Sequence, residues 1–123
     1  GLDVTMRAYV TAQELDEIAA LGSKQAVFAR DVMQGILQFY RTYKLGGVAF
    51  HDPVTVLYAD DDSYFQTDHA GVRVETKGKL TRGKTVTDLY SDKQMEHNAY
   101  VVTNLDREVF KRRVFEIMAQ YGE

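Results

Sequence analysis

At Gln66 the hydrophobic period of this chain changes. Upstream, apolar residues recur at the three-to-four-residue spacing of helices. From Gln66 onward, Val72 and Val74 alternate with Arg73 and Glu75, and Thr85, Val86, Thr87 and Leu89 follow Gly83. A period of two marks a strand with one buried face, and Gly78 and Gly83 bracket the connection, so this segment predicts an antiparallel β-hairpin. Ala99 to Thr103 predicts a further short strand after a polar loop over 91–96. Helical spacing returns from Asp106 to Tyr121, with Phe110, Val114, Ile117, Met118 and Tyr121 on one face and Arg107, Lys111, Arg112 and Glu116 on the other. Helices on both sides of a β region predict a mixed α/β fold.

The upstream helices have readable ends. Thr11-Ala12-Gln13-Glu14 has the form of a capping box, which starts a helix at Ala12 with Leu15, Ile18 and Ala19 on one face. Gly22 stops it, and Ser23 caps the longest element, Lys24 to Lys44, which Gly46-Gly47 ends. Phe28, Val32, Ile36, Phe39, Tyr40 and Tyr43 recur along it at helical spacing, and core packing is the expectation for Phe28 to Ile36. Ahead of these helices, Gly1 to Thr5 reads as a strand-like segment and Met6 to Val10 as a connector. Asp60-Asp61-Asp62-Ser63 reads as a solvated turn, and His69 and His97 as surface or structural histidines.

The chemically most suggestive stretch is Gly46 to Val54, which sets His51 beside Asp52. Asp52 suits an N-cap and Pro53 the first helical position, so His51 is expected just outside a helix start. A carboxylate there can serve the helix end, or turn outward to bind a cation or a hydroxyl group.

Composition removes several classes of function. Fifteen basic and 18 acidic side chains, a net charge of −3, are scattered without blocks, so there is no electrostatic footprint for nucleic acid or for an anionic membrane. No apolar run approaches the length of a bilayer span. The absence of cysteine excludes disulfides, thiolate nucleophiles and cysteine-type zinc sites, and suits a cytoplasmic location. With 45% hydrophobic residues, no repeat and no linker, residues 1–123 are expected to form a single domain. The abrupt strand-like start predicts a fragment boundary.

Gly1-Leu2-Asp3-Val4-Thr5, His51-Asp52-Pro53, Val72 to Gly78 and Thr81 to Asp88 match, in order and spacing, the C-terminal part of the inosine-uridine preferring nucleoside hydrolases, which this chain resembles from end to end. The resemblance implies the C-terminal portion of an open, mainly parallel, Rossmann-like sheet flanked by helices. It implies ribonucleoside hydrolysis, in which the N-glycosidic bond of a purine or pyrimidine nucleoside is cut to give ribose and free base. In that family Asp52 would match an aspartate that binds calcium, and His51 the histidine beside the departing base. Tyr43 and Tyr40 would match aromatic residues that close over the base. The family's Asp-x-Asp-x-Gly-x-Asp-Asp motif, which supplies most calcium ligands and the water-activating carboxylate, does not occur here. The chain alone is therefore expected to be inactive and to hold calcium weakly or not at all. The alternative is a non-catalytic scaffold or oligomerisation module of the same ancestry. A strand edge at Leu2 to Thr5 would recruit partners, so a homo-oligomer, or a separate N-terminal part completing the site, is expected.

Overall fold

A computed structural model describes residues 1–91 and 94–122; Asp92 and Lys93 of the expected polar loop, and Glu123, lie outside the described residues. The chain divides into two compact units, Gly1–Phe65 with Leu105–Glu123, and Gln66–Asn104. The fold is mixed α/β, as the change of period requires.

The first unit holds α1 (Leu2–Thr5), β1 (Tyr9–Val10), α2 (Ala12–Ala19), α3 (Lys24–Thr42), β2 (Val48–Ala49), α4 (His51–Asp60), a 3-10 turn (Asp62–Tyr64) and α5 (Arg107–Gln120). Its core is built from Val4, Val10, Leu15, Ile18, Leu37, Val48 and Phe110, with the Phe50 ring set edge-on to Phe110 at 6.0 Å. The capping box forms as read: Thr11 Oγ1 accepts from Glu14 N–H and the Glu14 carboxylate accepts from Thr11 N–H. Glu14 also takes Arg107 at 2.6 Å, and the Arg107 guanidinium lies 4.2 Å from the centroid of the Tyr9 ring. One arginine thus ties α5 to the start of α2 and to β1.

Several expectations are corrected in this unit. Leu2 to Thr5 is a helical turn and not a strand. Val4 and Thr5 N–H both bond to Gly1 O and Met6 N–H bonds to Leu2 O, so the backbone is satisfied locally and offers no strand edge. The connector Met6 to Val10 carries a strand, because Tyr9 and Val10 pair antiparallel with Ala49 and Val48. At the His51 helix, the Phe50 N–H bonds to Ala8 O at 2.7 Å, extending that ladder, and the chain enters the helix at His51 itself. Phe50 is the N-cap, Asp52 lies in the first turn, and Pro53 is tolerated there because the first N–H groups of a helix have no intrahelical partner. Finally, Phe28, Val32 and Ile36 are not core: they are 69, 45 and 38% exposed. The inner face of α3 is instead set by Ala26 and Leu37.

Helix α3 also ends before the glycines, with Tyr43 as C-cap and Lys44 in the left-handed region at φ 58°. Gly47 serves a different purpose. A Cβ there would collide with the Val10 carbonyl oxygen and sit 2.9 Å from the Tyr9 ring, so only glycine lets the loop pass β1 this closely. In the acidic run, Asp60 pairs with Arg113 at 3.2 Å and Asp61 caps the 3-10 turn, its carboxylate accepting from Ser63 N–H at 2.9 Å. The hydrogen bonds from Ser63 hold the Asp61 carboxyl below its usual range. On α5, Phe110 is fully buried, while Ile117 and Tyr121 of the expected apolar face are exposed.

The second unit is a three-stranded sheet in the order β4-β3-β5, from β3 (Phe65–Val74), β4 (Thr85–Asp88) and β5 (Ala99–Leu105). The hairpin forms as read, β3 pairing antiparallel with β4 from Gly71 opposite Asp88 to Val74 opposite Thr85. The Glu75 carboxylate accepts from Lys77 and Gly78 N–H, and Gly83 at φ 89° closes the turn with its N–H on Glu75 O. Asn98 extends the β3–β5 edge: its side chain accepts from Val72 N–H at 2.8 Å and donates to Val72 O at 3.0 Å. His69 is exposed and stacks on Tyr100 at 4.7 Å, with His97 edge-on at 5.3 Å.

Candidate active site

His51 stands at the first position of α4, where the β1–β2 ladder and the helix fix its backbone. Both ring nitrogens are engaged. Nδ1 lies 2.8 Å from Thr5 Oγ1 at the end of α1, and Nε2 lies 2.9 Å from the Tyr40 hydroxyl in the last turn of α3. Three elements far apart in sequence thus converge on one half-buried imidazole.

The imidazole links two hydroxyl groups. With the proton on Nδ1, Thr5 Oγ1 accepts from the ring and Nε2 accepts from the Tyr40 O–H; with the proton on Nε2, the Tyr40 oxygen accepts and Thr5 Oγ1 donates to Nδ1. In either arrangement a positioned imidazole bonded to a hydroxyl has the geometry to hand a proton to a leaving group.

Asp52 points to other company. It lines an apolar groove of about 500 Å³ between α4 and α5, with Val56, Leu57, Phe110, Val114 and Ile117 in the walls and the Asp60–Arg113 pair at its edge. The adjoining residues of the dipeptide therefore serve different surroundings. Tyr43, at the α3 C-cap, is exposed and packs on Phe39 with centroids 5.0 Å apart. Of the aromatic pair anticipated beside His51, Tyr40 makes the hydrogen bond and Tyr43 forms an open aromatic edge with Phe39. A smaller cavity of about 230 Å³, lined by Met6, Tyr9, Leu45, Gly46, Gly47 and Ala49, lies at the glycine turn.

Thr5 was not anticipated as a site residue. Its segment reads as a strand by β-branched composition, and only the three-dimensional return of α4 to α1 reveals its partner. Among the described residues no group of three or more His, Cys, Asp or Glu side chains could hold a metal ion. No helix among them is long and apolar enough to cross a membrane.

A family model described as inosine-uridine preferring nucleoside hydrolase matches residues 1–112. The pyrimidine-specific ribonucleoside hydrolase RihA of Enterobacter sp. (strain 638) is 32% identical over 124 residues, spanning 99% of this chain and 40% of its own length. Among solved structures, a purine-preferring ribonucleoside hydrolase from Gardnerella vaginalis superposes with a TM-score of 0.84 at 27% identity, over 99% of this chain and 39% of that one. An inosine-guanosine nucleoside hydrolase gives 0.78 at 27% identity, over 94% and 36%. The chain thus spans about two fifths of the length of the relatives it matches.

Proposed function

The chain belongs to the inosine-uridine preferring nucleoside hydrolase family, and from that premise we propose that it forms the leaving-group side of a ribonucleoside hydrolase site. The reaction is cleavage of the N-glycosidic bond, giving ribose and a free purine or pyrimidine base. As that bond breaks, negative charge builds on the base, and a positioned acid lowers the barrier by protonating it. His51 is assigned the acid role, with Tyr40 as the hydroxyl through which the proton leaves and Thr5 as the group that orients the ring. The observation carrying this reading is the hydrogen-bonded run Tyr40–His51–Thr5, at 2.9 and 2.8 Å. Tyr43 and Phe39 offer exposed rings on which a base could stack.

Asp52 is assigned to calcium in the completed site. A calcium ion takes about six to eight oxygen ligands, and one carboxylate gives one or two. With no cluster of three or more candidate ligands among the described residues, this chain does not fit a calcium site by itself, and no step is routed through the ion. The aspartate motif that would activate water in the resembling family has no counterpart in residues 1–123, so the chain alone is proposed to be inactive. The relatives' names divide between pyrimidine-specific and purine-preferring enzymes, so the substrate class stays at ribonucleosides.

The test uses the chain alone and a hybrid in which it replaces the matching two fifths of the Enterobacter relative. The chain alone should release no base from uridine, cytidine, inosine or guanosine, with or without calcium. The hybrid should release base, and His51→Ala in it should lower kcat by about 10²–10⁴-fold with a smaller change in KM. Turnover by the isolated chain, or a His51→Ala hybrid of undiminished kcat, would overturn the assignment.

A further inference from the structure

The three histidines of the chain are held in two different ways. His51 has both ring nitrogens engaged by hydroxyl groups. His69 and His97 are exposed, and among the described residues no hydrogen bond or ion pair holds either ring. Their nitrogens are therefore open to a ligand from solvent.

The backbone nonetheless brings these two rings together. Asn98 N–H bonds to Ala70 O at 3.1 Å, and the Asn98 side chain grips Val72 through two further hydrogen bonds. His97 and His69 each immediately precede one of the bonded residues, so the β3–β5 edge sets side by side two side chains far apart in sequence. Tyr100 of β5 stacks on the His69 ring at 4.7 Å with 22° between the planes, which limits how that ring turns. The His97 ring centre lies 5.3 Å from that of His69.

This separation has a chemical meaning. Imidazole nitrogens bind zinc at about 2.0–2.1 Å, so two imidazoles sharing one tetrahedral ion have ring centres about 5 Å apart. Edge-to-face packing spans about 4.5–7 Å and includes the same distance, but it draws its strength from burying ring surface, and these rings are exposed. The choice of ion follows from the ligand. Imidazole suits zinc, copper and nickel, whereas calcium takes oxygen. With no cysteine in the chain, imidazole is its strongest ligand for an ion of the first kind.

We propose that His69 and His97 form a two-imidazole surface site for a divalent first-row transition metal ion, which would clamp β3 to the segment entering β5. Among the described residues no third His, Cys, Asp or Glu side chain completes the set, so water fills the remaining positions and the ion is held exchangeably. The site lies wholly within the second unit and does not depend on the proposed function or on the calcium role assigned to Asp52. The unfolded chain does not hold the two rings together, so an ion bound to the pair stabilises the folded sheet by mass action.

Zn2+ is the probe, added to the untagged chain in a buffer that does not coordinate metal. The NMR signals of the His69 and His97 rings should move along one common binding curve, with those of His51 unmoved, and calorimetry should give one ion per chain. His69→Ala and His97→Ala, each with circular dichroism like that of the parent, should weaken Zn2+ binding by about tenfold or more. Excess Ca2+ should not displace the Zn2+. The ring signals of the unsubstituted chain decide the matter even if a variant fails to fold. Separate curves for the two rings, rings that do not respond, undiminished affinity in either folded variant, or displacement by Ca2+ would each overturn the site.

Discussion

His51 is held by two partners, and its chemistry depends on which nitrogen carries the proton. The Thr5 hydroxyl, 2.8 Å from Nδ1, bears on that choice. Thr5→Val keeps the shape and removes the hydroxyl, so the balance of tautomers should change, visible as a shift of the ring nitrogen resonances in ¹⁵N NMR, at a stability cost of about 1 kcal/mol. An unchanged spectrum would mean that Thr5 does not orient the ring. Gly47 makes a second residue-scale claim. Gly47→Ala pushes a methyl group into the Val10 carbonyl and should cost about 1–3 kcal/mol in urea unfolding, since backbone must yield. Gly46→Ala, where a Cβ would meet nothing within 4 Å, is the control and should be near neutral. In the sequence His51-Asp52-Pro53 announces a helix start, but the cap was misread by two positions. The Asp-Pro preference was outweighed by the Phe50 N–H bond to Ala8, a long-range contact that no local rule contains.

At the scale of elements, ends were more legible than faces. The capping box at Thr11 and the Ser23 cap before α3 both form, because a cap is decided by residues three apart. The two-residue strands β1 and β2 were missed because they are too short to show a period. The stripe of α3 was found, yet its burial was not, since periodicity says which residues share a face and not what covers it. The tie between α2 and α5 yields a pH prediction. Partial burial favours the neutral form of the Glu14 carboxyl, but Arg107 and Thr11 outweigh it and hold the pKa at about 2. A carboxyl lowered on folding adds stability that is complete above its unfolded value and is lost as pH falls through the folded one. Glu14→Gln should therefore cost about 1–2 kcal/mol at pH 7, after discount for solvent screening. The difference from the parent should shrink as pH falls from about 5 towards 2. Thermal unfolding across that range checks it; a pH-independent difference would mean that capping geometry, not charge, carries the contribution.

At the scale of the molecule, the sequence shows no linker, yet the chain divides into two units, the second inserted between Phe65 and Leu105. Composition could not reveal this because the crossings run along strands β3 and β5 and not through Gly- or Pro-rich segments. The insertion is closed on itself: β3 and β5 are neighbours in one sheet, and Thr103 Oγ1 donates to Gln66 O at 3.3 Å. Neighbouring strands lie about 5 Å apart, so the ends of unit two can be bridged by a few residues. The core of unit one, from Val4 and Leu15 to Phe110, is drawn from both sides of the insertion, with the Arg107–Glu14 pair joining them. Replacing residues 66–104 by a short Gly-Ser linker should therefore leave unit one folded, with cooperative thermal unfolding, retained helical circular dichroism and the His51 ring signals of the intact chain. Loss of cooperativity on excision would mean that the two units fold only as one body, and that the insertion supplies stability that the core of unit one lacks.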